Sequence, residues 1–284
     1  MKYIVLCPNP YKDVGLAVTR EARDLLAGAG YGVRICPELL EDGPAELPSE
    51  LEYSELFDAL TDAALVVSLG GDGTIMHTAR RMVGHAVPIL GVNLGTVGFL
   101  AELERSELPK LLDAAAGRFT VSPRMMLCVA LYRGGEAVYE GYALNDVYLH
   151  GVGRMLHMTA RGDGRKILEF AGDGLVIASP TGSTAYSMSA GGPLVEPSAE
   201  NLILTPVCPH ALAARSFILA PDREVTVTVG QTRYPASVSA DGEFFEARSG
   251  DVLRVKKAGH KTLIAHVGDK GFYDIVYEKL GDRK

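Results

Sequence analysis

The sequence predicts an α/β N-terminal domain built on a mostly parallel sheet, followed by a β-rich, sandwich-like C-terminal domain. Three observations predict it. The first hundred residues alternate strand-like and helix-like apolar patterns, the βαβα rhythm of a sheet covered by helices on both sides. Two of those strand patterns, Ala64 to Leu69 and Pro88 to Val92, are unbroken apolar runs, as expected of strands buried on both faces. Near Gly117 the rhythm stops, and from Phe119 to Val267 short strand-like runs follow one another across Gly-rich turns with little helical periodicity.

Taken in order, Tyr3 to Cys7 reads as a first strand; its apolar run is short and carries no cleavage signal, so it is not read as a secretory leader. Val14, Val18, Ala22, Leu25, Leu26 and Ala29 recur at helical spacing, and Gly30 with Gly32 ends that helix. Val33 to Cys36 is a second strand, and Pro37 to Glu50 a loop rich in Pro and Glu. The strand ending at Leu69 runs into Gly70-Gly71-Asp72-Gly73-Thr74, after which Ile75, Met76, Ala79, Met82 and Val83 give a helix its buried face. In the second region Met126 to Tyr132, Ala137 to Tyr142, Val225 to Val229 and Val252 to Val255 are strand-like. No repeat of 20 to 50 residues is present.

Composition sets the outer bounds. A chain of 284 residues that is 47% hydrophobic, 22% charged and holds 32 glycines has room for two modest cores. A net charge of −7 excludes holding nucleic acid by bulk electrostatics, which needs a basic face. The cysteines, Cys7, Cys36, Cys128 and Cys208, are scattered without a CxxC pair and read as core residues in a reducing compartment. The longest charge-free stretch, Gly174 to Val195, is full of Gly, Ser, Thr and Pro, which a membrane helix of about 20 apolar residues is not. A soluble, cytoplasmic protein is expected.

Three motifs carry chemistry. Gly70-Gly71-Asp72-Gly73-Thr74 sits at a strand-to-helix junction, where glycines let backbone N–H groups approach an anion and the helix start adds positive potential. Neither a Walker-A motif nor a complete GxGxxG explains these glycines. One reading is a tight turn capped by Asp72; the other is a ligand loop, because α/β sheets bind ligands at this edge. The second motif runs from Gly172-Asp173-Gly174 through Ser179-Pro180-Thr181-Gly182-Ser183-Thr184-Ala185-Tyr186-Ser187. Its small residues and hydroxyls can read the edge of a flat ring on which Tyr186 packs, or they form a structural turn. Third, Asn145 and Asp146 stand in an otherwise apolar run and need partners; alternation along a strand would put them on opposite faces. No histidine shows metal-ligand spacing, and His77, one helical turn after Gly73, is placed to meet a phosphate at the helix start.

Together, and in this order, these motifs resemble the NAD kinase family. Asn93-Leu94-Gly95-Thr96-Val97-Gly98-Phe99-Leu100 and Ala190-Gly191-Gly192-Pro193 add to the likeness, which extends from the first strand to the Phe272-to-Leu280 segment. The resemblance implies phosphoryl transfer from ATP or another donor, with a divalent metal such as magnesium, to the 2′-hydroxyl of the adenosine ribose of NAD. Asp72 matches the catalytic acidic residue, and Gly73 and His77 match dinucleotide contacts. Asn145 and Asp146 match a polar pair that is Asn-Glu in many relatives, and Asp173 a contact near the far end of the cofactor. Thr184, Ala185, Tyr186, Ser187, Met188 and Ser189 match the adenine- and ribose-side loop, with His157 a further contact. Gly70, Gly71, Gly73 and Thr74 would hold the donor's phosphates; no metal ligand is assigned. Residues 1–120 would form the α/β domain, 121–267 the β-rich NAD-binding domain, and 268–284 would return to the first. A homodimer or homotetramer is implied, with no nucleic-acid or membrane partner. Alternatives are a lipid or sugar kinase sharing the glycine loop, and a dinucleotide-binding sensor without catalysis.

Overall fold

The computed structural model describes residues 3–38, 47–95, 98–211 and 214–281. Most of the Pro- and Glu-rich loop, and Thr96 and Val97 of the Asn93-to-Leu100 motif, lie outside the described residues. The chain divides into two units: Met1–Pro123 with Thr262–Lys284, and Arg124–Lys261. The first thus reaches a few residues beyond 120 and takes up its C-terminal part from 262, inside a long strand.

In the first unit β1 (Tyr3–Pro8), β2 (Gly32–Ile35), β3 (Ala63–Gly70) and β4 (Ile89–Asn93) stand in the order β2-β1-β3-β4. The end of the long strand Val252–His266 and the short β5 (Leu103–Glu104) also pair with β4. Every pairing here is parallel, with Ile4 opposite Leu65, Val66 opposite Ile89, and Ile264 opposite Ile89. Parallel strands need crossovers, and the helices supply both the crossovers and the cover. Helix α1 (Ala17–Gly28) turns Val18, Ala22 and Leu26 inward at a spacing of four; they pack with Leu6, Val67, Leu69 and Leu90 of the sheet. Asp13 anchors its start, accepting from the Val18 and Thr19 amides at 2.9 and 2.8 Å. Helix α2 (Leu56–Leu60) precedes β3, α3 (Asp72–Arg81) follows it, and α4 (Leu111–Ala115) joins the core through Leu111 and Ala114.

The second unit is a sandwich. One sheet orders β10 (Arg165–Gly172), β9 (Leu156–Gly162), β14 (Val225–Val229), β17 (Val252–His266), β6 (Thr120–Arg133) and β7 (Glu136–Ala143). The other orders β13 (Phe217–Leu219), β12 (Leu202–Val207), β11 (Gly174–Ala178), β8 (Asp146–Gly151), β15 (Ala236–Ala240) and β16 (Glu243–Ala247), antiparallel throughout. Alternate residues of both sheets meet in one core: Leu127, Val129, Met158, Ala160, Val225 and Val227 with Val147, Leu149, Leu175, Ile177, Leu204 and Val238. That alternation leaves Asp146, Tyr148 and His150 of β8 on the outer face of the second sheet. Val176, Ala178 and Ile203 share this face, and Ala190 and Val195 of the segment after β11 cover part of it. That segment holds a 3₁₀ turn at Thr181–Thr184 and the single-turn helix α5 (Tyr186–Ser189). The chain ends in α6 (Phe272–Leu280).

One detail differs from the expected strand pattern. Asn145 is not in a strand: β7 ends at Ala143 and β8 begins at Asp146, so alternation does not govern the pair.

Candidate functional site

Two clusters gather the polar residues of the motifs, one in each unit. In the first, β3 ends at Gly70 and α3 starts at Asp72, so the glycine loop is little more than the helix cap. Gly71 has an ordinary extended backbone, at φ −169° and ψ −172°. Its lack of a side chain serves space instead: a Cβ there would meet only the ammonium of Lys12. Gly70 is required more strictly, since a Cβ would overlap Thr74. Thr74 itself is buried, and its hydroxyl accepts from Asn9 Nδ2 at 3.2 Å. Thr74 therefore ties the helix start to the end of β1, while Gly73 beside it is exposed.

The Asp72 carboxylate is held firmly. Oδ2 accepts from the Phe99 amide at 2.6 Å, and Oδ1 from the Leu100 and Ala101 amides at 3.1 and 3.2 Å. A Cβ on Gly98 would collide with it, so that glycine is needed for the close approach. An ionised carboxylate offers about four acceptor positions, and three are taken; the remaining one is on Oδ2. Lys279 of α6 lies 4.6 Å from the centre of the Phe99 ring. Burial lowers the Lys279 pKa, while Asp72, Glu104 and Glu278 pull it back up. His77, on the same helix, gives Nδ1 to Glu38 at 2.5 Å.

In the second unit the turn before β8 is pinned from two sides. Asp241 Oδ2 accepts from the Leu144 amide at 2.5 Å, and Oδ1 from those of Asn145 and Asp146 at 3.0 and 3.1 Å. Ser179 bonds the Leu144 carbonyl through its hydroxyl and the Asn145 carbonyl through its amide. A Cβ on Gly182 would strike the Asn145 backbone, so the 3₁₀ turn packs directly on this turn. Two polar atoms there, Asn145 Oδ1 and Thr181 Oγ1, are buried without a hydrogen-bond partner. Orphaned buried acceptors and hydroxyls are rare in folded proteins and ask for a ligand or water.

Asp146 accepts from the Tyr186 amide, but its carboxyl is pushed up to about 7, by burial first and then by repulsion from Asp241. From it the outer face of β8 continues as an aromatic floor. Tyr148 stacks on His150 at 4.6 Å and 5°, and meets Tyr186 edge-on at 4.6 Å and 67°. Gly174 leaves the room that Tyr148 fills. The Tyr148 hydroxyl is raised by burial and by its bond to Tyr186. Asp173 is exposed at the opposite end of β11 from Ala178, which pairs with Asp146. The five residue steps between them span about 17 Å at the usual rise of a strand. That is a length suited to an extended ligand.

The remaining expected residues divide. Thr184 bonds the Thr181 carbonyl at 3.2 Å, Ala185 and Met188 are half-buried, and Tyr186 and Ser189 are exposed. Ser187 is buried, with its hydroxyl 3.0 Å from that of Thr205, and so supports the loop from beneath. His157 is not part of this cluster: it is exposed on β9, in the other sheet. Lys12 and Asp241 escaped the sequence reading. Of these only Asp241 left a signal there, an Asp-Gly pair between two strand patterns, which marks a tight hairpin; both residues have positive φ, 48° and 88°.

Among the described residues no group of three or more His, Cys, Asp or Glu could hold a metal ion. No helix among them is long and apolar enough to cross a membrane.

Comparison with known proteins follows the same division. Residues 48–117 match the ATP-NAD kinase N-terminal domain and residues 144–267 the ATP-NAD kinase C-terminal domain. The NAD kinase of Ruminiclostridium cellulolyticum is 35% identical, across 100% of this chain and 99% of its own. That of Heliobacterium modesticaldum is 41% identical across 96% of each. In fold the chain is similar to yeast NADH kinase complexed with NADH, at a TM-score of 0.87 and 23% identity, covering 100% of this chain and 88% of that one. It is also similar to an NAD kinase from Archaeoglobus fulgidus in complex with ATP, at 0.74 and 23%, covering 99% and 98%. Matched over its whole length by curated relatives well above 30% identity, the chain belongs to the NAD kinase family, enzymes that phosphorylate NAD.

Proposed function

We propose that the chain transfers the γ-phosphoryl group of ATP to the 2′-hydroxyl of the adenosine ribose of NAD, forming NADP and ADP. Asp72 is the catalytic carboxylate. The observation that carries this is its fixed geometry: three amides lock its orientation and leave one acceptor position, on Oδ2, for a hydroxyl. A ribose hydroxyl is a weak nucleophile at neutral pH, so a held carboxylate at hydrogen-bond distance orients it. Asp72 takes its proton as the new O–P bond forms and the bond to ADP breaks. The rest of the catalysis is positioning and neutralisation of charge.

Neutralisation has three sources. The amides at the start of α3 lack intrahelical acceptors and face the donor's phosphates at Gly71 and Gly73. Lys12, whose ammonium lies against Gly71, adds a full positive charge at the same place. A divalent cation such as magnesium, arriving with the triphosphate, would supply the remaining countercharge. Such a cation keeps several waters and needs at most one or two protein carboxylates.

The second unit holds NAD. The orphaned Asn145 Oδ1 and Thr181 Oγ1 meet the polar edge of adenine, and Tyr186 packs on its ring. Asp146 accepts from ribose hydroxyls, and Asp173 reaches the far part of the dinucleotide. Thr184, Ala185 and Ser189 line the same loop. The protein works in the cytoplasm as a homo-oligomer.

The test is direct. Purified protein with NAD, a magnesium salt and ATP should form NADP, read out with an NADP-specific dehydrogenase. If no NADP forms from ATP, polyphosphate or another triphosphate, the sensor reading takes its place.

A further inference from the structure

Glu38 lies just past β2 and is wholly buried. Its carboxylate gathers three side chains of α3: His77 Nδ1 at 2.5 Å, Thr78 Oγ1 at 2.9 Å and Arg81 Nη1 at 3.0 Å. Burial pushes the Glu38 carboxyl up, but the bonds from His77 and Arg81 more than offset it and leave the group ionised below the usual carboxylate range. A buried carboxylate needs a countercharge and filled lone pairs. Arg81 supplies the first and Thr78 adds a donor, so the helix is fastened without His77.

What the His77 bond adds is orientation. Nδ1 is committed to Glu38, and the other ring nitrogen, Nε2, has no partner among the described residues. The ring is 23% exposed. His77 follows Gly73 by four positions, so the two share one face of α3, and Gly73 is the exposed residue of the glycine loop. A carboxylate bonded to one imidazole nitrogen sets which edge the other presents, the same device that orients metal-bound histidines from behind.

We propose that Glu38 is a positioning residue of the acceptor site: it holds the His77 imidazole by Nδ1 and thereby aims the Nε2 edge of the ring at the bound dinucleotide beside Gly73. This rests on the reading that NAD lies against His77. A ring so placed strengthens ground-state binding of the dinucleotide more than the chemical step. Its loss therefore appears in KM for NAD.

The test is a set of four variants assayed with ATP, magnesium and NAD. Glu38→Gln keeps the volume and removes the charge, and should raise KM for NAD about tenfold with kcat within about threefold of wild type. His77→Ala should give the same rise, and the double variant no more than His77→Ala alone. Arg81→Ala breaks the other ion pair to Glu38; it should lower Tm and leave KM for NAD unchanged. The proposal is overturned if Glu38→Gln leaves KM unchanged, if the two substitutions add fully, or if Arg81→Ala raises KM equally. Where Glu38→Gln does not fold, imidazole ¹⁵N spectra of the wild type, assigned by loss of signal in His77→Ala, decide. A protonated Nδ1 with an Nε2 resonance that moves on adding NAD supports the role, and an unprotonated Nδ1 or an unmoved Nε2 ends it. A wild type that makes no NADP sinks the NAD kinase reading itself, whereas an active wild type with indifferent variants sinks only this inference.

Discussion

Asp72 in the first unit and Asp241 in the second each accept three consecutive main-chain N–H groups, those of Phe99, Leu100 and Ala101 for the one and of Leu144, Asn145 and Asp146 for the other. Even the division is the same, two amides on Oδ1 and one on Oδ2. The surroundings are opposite. Asp72 begins a helix, with Lys12 against the same glycine loop and Lys279 within electrostatic reach. Asp241 occupies a hairpin turn, and the charge beside it is another carboxylate, Asp146. Three amides fix where an oxygen points. What that oxygen can do is set by its neighbours: positive charge at Asp72 suits a site where a polyphosphate meets a hydroxyl, and negative charge at Asp241 suits the shaping of a loop.

Exchanging the two roles is the way to break this comparison. Asp72→Asn retains one oxygen acceptor and should fold and bind NAD, while kcat falls by roughly 10² to 10⁴, the range for losing general-base help. Steady-state kinetics beside a thermal melt would show it, and near-wild-type turnover would refute the catalytic assignment. Asp241→Ala strands three amides and should cost about 3 kcal/mol of stability in urea unfolding, at about 1 kcal/mol per lost partner. It should raise KM for NAD far more than it lowers kcat. A collapse of kcat at unchanged stability would mean that the second aspartate is the chemical one. Gly98→Ala sharpens the first arm: its Cβ displaces the Asp72 carboxylate without changing any reacting group. A misplacement of this kind should reduce kcat about tenfold; an unaffected kcat would show that the clamp by residues 99–101 does not position Asp72.

Sequence patterns read most clearly where one period repeats. The unbroken runs of β3 and β4 gave buried parallel strands, and Val18, Ala22 and Leu26 gave the inner face of α1, because burial on a sheet leaves a regular trace. Asp72, Asn145 and Tyr186 stood out as polar or aromatic residues among small or apolar ones. Glu38 and Lys12 left no such trace. Their importance comes from meeting residues far along the chain: Glu38 meets α3 some forty positions later, and Lys12 lies against Gly71, 59 positions later. Asn145 shows the opposite failure, in which alternation was extended one residue past the end of a strand. Ser187 and Thr74 show a third: within a glycine- and hydroxyl-rich loop, the residues that build it and those that face a ligand have the same chemistry, and only burial separates them.

The pair Asp146 and Asp241 carries the smallest and most specific prediction, a dependence of stability on pH. Asp146 has a folded-state pKa of about 7 against an ordinary value of 3.8. Below the ordinary value it is protonated in both states and adds nothing unfavourable. As pH rises from about 4, the unfolded chain gives up this proton while the fold retains it, so stability drains until the folded carboxyl also ionises near 7. Asp146→Asn cannot ionise and should flatten this part of the profile. Its Tm should fall less than that of wild type between pH 6 and pH 7, with a difference of about 3 °C, as expected for roughly 1 kcal/mol in a chain of this size. Asp241→Ala should show part of the same flattening, since it removes the repulsion but not the burial. Burial is the larger cause, so the residual slope in Asp241→Ala should exceed the part it loses; if Asp241→Ala flattened the profile as fully as Asp146→Asn, repulsion between the carboxylates, and not the dry setting of Asp146, would be what raises it.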